Sequence, residues 1–290
     1  MKKYIVMSVV FSFISIAQAH YTQIYAVREA QNVLDAADEN TLVLFDVDET
    51  LIVPLDKIHW PKFFKNEPGK SLKDAVWDHV VTQDEKERIW TAPLFQSERT
   101  LVEPHLADLI KKLQQRKIKT LGLTRMRSGK HGGINYLREY RFTQLFKFGI
   151  DFRSTYAQTI VFTECEKWNN EEHPMIYKGI IFSSEMPKGP VLGAFLDKVD
   201  WKINKVIFFD DAFDNILSVE QEMKKRNIEY HGYYYCAVAT MPVELDCEVA
   251  KFQLEYLAEH EVWLGENDAR RMIDANVLLQ DQSCAAAVAV

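Results

Sequence analysis

Four short segments of this 290-residue chain carry side chains able to do chemistry together. Asp46-Val47-Asp48-Glu49-Thr50 follows an unbroken apolar run at 42–45. Thr124 and Arg125 follow a candidate strand at 118–123. Lys188 stands just ahead of a helical pattern at 190–199. Asp210 and Asp211, with Asp214 and Asn215 close behind, follow a further candidate strand at 205–209. Carboxylates can act as nucleophiles, move protons or hold a hard cation, and a hydroxyl and an ammonium can bind an anion. Carboxylates gathered in one small site favour a bound cation, and Mg²⁺ suits ligands that are all oxygen.

Such residues need elements that bring them to one place. The short apolar runs read as buried strands, and strand alternates with helix along most of the chain. A strand over 42–45 is followed by an irregular stretch at 51–101 with four prolines and the large aromatics Trp60, Phe63, Phe64, Trp77 and Trp90 among its residues. That stretch reads as a mostly helical, cap-like insertion. Pro104 opens a helix, 118–123 is the next strand, and a helix follows Gly133. Residues 159–162 and 175–182 suggest a β-hairpin with a long loop. A helix at 190–199, a strand at 205–209, a helix at 216–225 and a strand at 228–238 complete the core. The spacing of Ile24, Val27, Ala30, Val33 and Leu34 predicts a helix over 21–37, and 247–278 reads as mostly helical. The expected fold is α/β, a Rossmann-like three-layer parallel sheet with one insertion after the first core strand and a β-hairpin insertion later. Ligands of such sheets bind beyond the carboxyl ends of the strands, near a topological switch point. All four reactive segments fall there.

FDVDETL resembles the first signature of the haloacid dehalogenase (HAD) superfamily, an apolar strand ending in DxDxT. Thr124 matches the second, Lys188 in PKGPVL the third, and IFFDDAFDN at 207–215 the fourth. The four stand in the family's order across 41–238. More narrowly, EPHLADLIKKLQQRKIKTLGLT, YKGIIFSSEMPKGPVL and a late FQLEYL…VWL stretch are similar to an uncharacterised family of exported bacterial HAD-like proteins without an assigned substrate.

The resemblance implies a phosphomonoester hydrolase working through an aspartyl-phosphate on Asp46. It makes Asp48 the general acid and base, which is typically worth ~10²–10⁴ in rate. Lys188 would relieve repulsion between Asp46 and phosphate, and Thr124 would hydrogen-bond a phosphate oxygen. The Asp46 carboxylate, the Asp48 backbone carbonyl and the Asp211 carboxylate would hold Mg²⁺, with Asp210 and Asn215 orienting water or Lys188. An Asp at position 48 separates phosphatases and phosphomutases from related ATPases, which carry Thr there, and from dehalogenases, which lack a matching acid. Arg125, Arg127, Lys130 and His131 could bind a second anionic group; the plainer alternative is a solvated loop. The insertion's aromatics could form a lid, or only the insertion's own small core. Two alternatives use the same residues: a phosphotransferase or phosphomutase, and an exported binding or effector protein that keeps the fold without turnover.

Lys2 and Lys3, an uncharged apolar stretch and Ala17-Gln18-Ala19 read as a signal peptide over 1–19, which leaves 20–290 as the mature domain. Export to a periplasm or beyond follows as an expectation, with no stable membrane anchor after cleavage. Cleavage leaves 33 basic against 42 acidic residues, a net charge of −9. Such an acidic balance argues against nucleic acid as the main partner, while a small phosphorylated substrate is what the resemblance implies. Cys165, Cys236, Cys247 and Cys284 form no CxxC pair, so a zinc site is not expected. Cys236 and Cys247 are the pair nearest in sequence for a disulfide; four reduced thiols are the alternative.

Overall fold

A computed structural model describes residues 21–275 apart from 65, 67, 78–81, 132–133 and 170. The expected signal peptide and Cys284 lie outside the described residues.

The centre is an eight-stranded sheet in the order β1-β10-β9-β2-β5-β8-β7-β6. Its strands are β1 (Tyr21–Ile24), β2 (Thr41–Phe45), β5 (Lys119–Thr124), β6 (Ile160–Val161), β7 (Met175–Tyr177), β8 (Ile180–Phe182), β9 (Lys205–Asp210) and β10 (Glu229–Tyr235). From β1 to β8 neighbours run parallel, and only the β8-β7-β6 edge is antiparallel. Two more strands, β3 (Ile52–Pro54) and β4 (Arg99–Leu101), pair with each other outside the sheet.

Burial on both faces explains the unbroken apolar runs. On β2, Val43 and Phe45 enter one hydrophobic cluster while Leu42 and Leu44 enter another. On β9, Ile207 and Phe209 go one way and Val206 and Phe208 the other. Helices α5 (Leu106–Gln115) and α6 (Leu137–Lys147), with the segment around α1 (Gln31–Asp35), cover the first face through Leu34, Leu106, Ile110 and Leu145. Helices α7 (Lys188–Lys198) and α8 (Phe213–Lys225) cover the second through Val191, Phe195, Ile216 and Val219. The architecture is a three-layer α/β fold with a mostly parallel sheet.

Helix α7 can lie against α8 because Gly189 has no side chain. A Cβ there would stand 2.0 Å from the Ser218 carbonyl oxygen. The Gly189 amide also donates to Ser218 Oγ at 3.0 Å, which fixes the first turn of α7.

The insertion leaves and rejoins the core through the β3–β4 ribbon, where Ile52 pairs with Leu101. Between those strands lie α2 (Pro61–Phe64), α3 (Gly69–Trp77) and α4 (Gln83–Gln96). The α4 N-terminus has a capping box, Thr82 with Glu85. Trp60 and Phe63 join the core cluster beneath the insertion, as packing residues.

The insertion is not a separate lobe. Helix α10 (Cys247–His260), at the far end of the sequence, packs on it through Ala250, Leu254 and Leu257, which meet Ile58, Ile89 and Ala92. Buried Asp56 anchors this contact. It accepts hydrogen bonds from Trp263 Nε1 at 2.8 Å, the Glu266 amide at 2.7 Å and Gln253 Nε2 at 3.2 Å. Lys62 also donates to the Met241 carbonyl at 2.6 Å.

Three expectations are corrected. Residues 21–37 are not one helix: Tyr21–Ile24 pairs with the open edge of β10, Tyr21 against Gly232, and tertiary pairing overrides the helical spacing. Residues 175–182 are not one strand but the tight hairpin of β7 and β8, turned at Lys178 (φ 48°) and Gly179 (φ 79°). Gly179 is required there, since a Cβ would stand 2.5 Å from that of Phe152. Cys236 and Cys247 are both free, as is Cys165: Cys236 is buried and Cys247 exposed, at opposite ends of the link from β10 to α10.

Candidate functional site

The order of strands decides where the site lies. Strand β2 is flanked by β5, which follows it in the chain, and by β9, which comes after a return across the sheet. The chain therefore leaves β2 and β9 on opposite sides, and a crevice opens at their carboxyl ends. Phe45 pairs with Phe209, and the Asp46 amide donates to the Phe209 carbonyl at 2.9 Å. That register sets Asp46 beside Asp210. Phe45 also pairs with Gly122, so Thr124 ends β5 at the same edge of the sheet.

Lys188, the first residue of α7, reaches this edge from behind. Its ammonium is fully buried, bonds the Asp46 carboxylate, and lies 2.6 Å from Asp210 Oδ2. Burial works against that charge, but Asp210 and Asp46 outweigh it and raise the ammonium's pKa. Every oxygen of Asp210 is engaged. Oδ1 accepts from the Ala212 amide at 2.8 Å and from Asn215 Nδ2 at 3.0 Å, and Asn215 also lies 3.1 Å from Oδ2. Asn215 thus orients Asp210, and Asp210 orients Lys188.

One ligand oxygen from each of Asp46, Asp210 and Asp211 lies within 4.8 Å of the others. Burial pushes the Asp46 carboxyl up to about 7; Lys188 opposes the shift, while Asp210 and Asp48 add to it. Burial, then the charges of Asp46 and Glu49, raise Asp211 well above the usual carboxylate range. Three carboxylates held together against their own repulsion form an oxygen-only donor set that fits a small divalent cation. Since Lys188, Ala212 and Asn215 occupy Asp210, the carboxylates of Asp46 and Asp211 are the ones left to bind it.

Asp48 is turned toward the insertion. Its Oδ1 accepts from Arg99 at 2.9 Å and from Arg141 at 2.9 Å, and its Oδ2 accepts from Arg141 at 2.7 Å. Burial favours protonation of Asp48, but Arg141 and then Arg99 outweigh it and hold the carboxyl below its ordinary range. Both guanidiniums are buried, with side chains 1% and 6% exposed. The intervening turn carries Glu49 in the left-handed region at φ 66°, closed by its amide to the Ile52 carbonyl at 2.7 Å. Such backbone strain in a non-glycine residue is typical of functional turns.

Thr124 is buried, and its Oγ1 accepts from the Met126 amide at 3.1 Å, so its proton is free for another acceptor. Arg125 is half exposed and donates to the Glu185 carbonyl at 2.7 Å, on the outer side of this edge. Arg127 instead turns inward and stacks on Trp168 at 4.0 Å. Glu172, from the loop between β6 and β7, accepts from Ser128 Oγ and Ser184 Oγ, both at 2.8 Å. It thereby ties the loop after β5 to the loop after β8.

The structure brings Asp46, Lys188, Asp210, Asp211 and Asn215 into one cluster, with Thr124 on the adjoining strand end. Sequence reading missed Arg99, Arg141, Glu49 and Glu172. Arg141 is an interior position of a helix and Arg99 sits at the end of the insertion; neither spacing carries a signal. Glu49 stands inside the DxDxT run itself.

Comparisons with known proteins agree in extent but are sparing about activity. A protein of Rickettsia prowazekii (strain Madrid E), described as uncharacterized, is 26% identical over 89% of this chain and 94% of its own length. A protein of Chlamydia trachomatis, named "putative outer membrane protein", is 24% identical over 84% of this chain and 87% of its own. A Chlamydia pneumoniae protein with the same designation is 22% identical over 88% and 92%. Residues 23–270 match the family described as "Protein of unknown function (DUF2608)", and a match of that extent, covering sheet, insertion and carboxylate cluster together, makes the chain a member of that family.

Proposed function

We propose that this protein is a Mg²⁺-dependent phosphomonoester hydrolase of the HAD type, with Asp46 as its nucleophile. The observation that carries the reading is the buried ammonium of Lys188 shared by Asp46 and Asp210, with Asp211 alongside, at the switch point of the sheet. Burial makes an uncompensated anion costly, so a site that gathers three carboxylates around one ammonium is built for a cation and an anionic substrate.

The chain's own groups divide the work as follows. Lys188 favours the ionised form of Asp46 against burial, aims it, and offsets repulsion between its carboxylate and an incoming phosphoryl group. The Thr124 hydroxyl donates to a phosphoryl oxygen. Asp46 attacks phosphorus, the ester oxygen leaves, and an acyl phosphate forms on the side chain. Water then releases phosphate and restores the carboxylate. Asp46, Asp211 and the Asp48 carbonyl would hold Mg²⁺, which when bound neutralises charge on the transferring group. Asp48 would protonate the leaving oxygen and then take a proton from water, once the guanidiniums of Arg99 and Arg141 no longer hold it ionised.

That last contact also favours a second reading. A carboxylate kept ionised by two guanidiniums is a weak acid catalyst, as expected of a site that binds a phosphorylated ligand without turnover. The two readings separate on phosphate release from an aryl phosphomonoester with Mg²⁺ and with EDTA. Release that EDTA abolishes supports the hydrolase; tight Mg²⁺-dependent binding of a beryllofluoride phosphate mimic without release supports the binding protein.

The names of the chlamydial relatives, together with the leader-like residues 1–19, support export of this chain as well. Among the described residues no helix is long and apolar enough to cross a membrane.

A further inference from the structure

A cavity of about 410 Å³ opens beside Asp48 and Glu49 and runs beneath the insertion. Three parts of the chain wall it: the insertion through Ile89, the C-terminal helix α10 through Leu254 and Leu257, and the loop after β5. Its size is that of a site for a small organic ligand. The apolar wall would take an apolar body by burial.

The polar lining is unbalanced in an informative way. Arg99 Nε and His59 Nε2 both line the cavity region, both are buried, and neither has a hydrogen-bond partner. Buried polar atoms without partners are rare in folded proteins, so two on one wall call for a missing acceptor. Lys73, 7% exposed, lines the same cavity. His59 is fixed by its ring contact with Trp263 at 4.3 Å. Burial, then the charges of Arg99 and Lys73, push the His59 pKa down to about 3, so the ring is neutral and can donate from Nε2. The same desolvation lowers Lys73 to about 8, with Asp74 only partly offsetting it. Arg99 already serves Asp48 through its Nη1 atom, which leaves Nε directed to something else.

We propose that this cavity binds the alcohol part of the substrate, and that this alcohol has an apolar body carrying a second anionic group, seated on Arg99 and His59. The inference rests on the phosphomonoesterase reading only for where the phosphoryl group lies. It makes the C-terminal helix a specificity element, although the sequence separates it from the insertion by some 150 residues.

Binding of alcohols without phosphate tests it apart from turnover. Titration of the full mature chain with 6-hydroxy-2-naphthoate, 2-naphthol and glycerol, followed by calorimetry, should give an affinity order. The carboxylate should bind at least about tenfold tighter than 2-naphthol, since charge-assisted hydrogen bonds are the strong ones, and glycerol should not bind measurably. His59→Phe should weaken that preference while 2-naphthol still binds, and Leu257→Trp should weaken both. Equal binding of the two naphthalenes to the wild-type chain, or no binding of either, overturns the inference whether or not phosphate is released. Conversely, absence of phosphate release with this order intact refutes the hydrolase reading and leaves the cavity's ligand class standing.

Discussion

Lys188 Nζ lies 2.6 Å from Asp210 Oδ2 while the same nitrogen bonds Asp46, so one buried ammonium joins the ends of two neighbouring strands. The contact is made from the first turn of α7, which Gly189 lets settle against α8. Fold and chemistry meet at this nitrogen: moving α7 by one residue would uncover two buried carboxylates.

Lys188→Met should therefore damage stability as well as activity. Removing one partner of a buried ion pair costs about 3–5 kcal/mol, because the other charge stays buried. Urea unfolding in EDTA should show a loss in that range, and Asp46→Asn in the same background should recover part of it. Unchanged stability on losing Lys188 would mean that the carboxylates are already neutral without it.

Mg²⁺ should stabilise the chain through Asp211. At about a hundredfold excess over Kd, binding to the folded state alone adds ~2.7 kcal/mol. For a chain of this size that corresponds to a rise in Tm of roughly 5–10 °C. Asp211→Asn should lose most of the rise. Full retention of the shift in that variant would place the cation elsewhere.

The sequence made the carboxylate cluster legible because its parts are local: Asp46 and Asp210 directly follow apolar runs, Lys188 opens a helical pattern, and parallel strands align their ends. Asp46, Lys188 and Asp210 could be read for that reason. The Arg99–Asp48–Arg141 arrangement could not, since it joins residues 51 and 93 positions apart that no period links. The same holds for Asp56 and its partners near the C-terminus, some 200 positions away. The helix expected over 21–37 failed because helical spacing says nothing of a free strand edge offered by β10. The 175–182 run hid its turn because Lys178 and Gly179 are only two residues inside an otherwise apolar stretch.

The His59 contribution to stability should fall as pH drops below about 6.5, in opposition to Asp46, whose raised pKa favours the folded chain on acidification. Its folded pKa is pushed down to about 3 by burial and by the charges of Arg99 and Lys73, against 6.5 for the free side chain. Between those values the unfolded chain binds the proton and the folded chain does not, so each unit of acidification favours unfolding. The His59 share should be about 2 kcal/mol between pH 6.5 and pH 4.5. Relative to the wild-type chain, His59→Asn should gain stability on acidification over that window in urea titrations. Curves of the same slope for both chains would contradict the burial of a neutral ring.

The Asp56 anchor should hold the C-terminal segment to the insertion. Asp56→Ala removes the acceptor for Trp263, Gln253 and the Glu266 amide. A loss of about 3 kcal/mol is expected from orphaning these groups. Hydrogen exchange should rise across 246–275 and in the 56–64 stretch while β2 and β9 stay protected. Unaltered exchange in 246–275 would show that the apolar contacts of Leu254 and Leu257 suffice alone.

The most direct test of the central claim is phosphate release by the mature chain and by its Asp46→Asn variant, with Mg²⁺ and an aryl phosphomonoester. The substitution keeps the size of the side chain and the company of Lys188 but removes the nucleophilic oxygen pair. Release by the wild-type chain that falls by about 10³-fold or more in Asp46→Asn, with the variant folded by circular dichroism, is the predicted result. Release at the same rate in the variant would contradict the assignment of Asp46 and, with it, the mechanism built on the β2–β9 crevice.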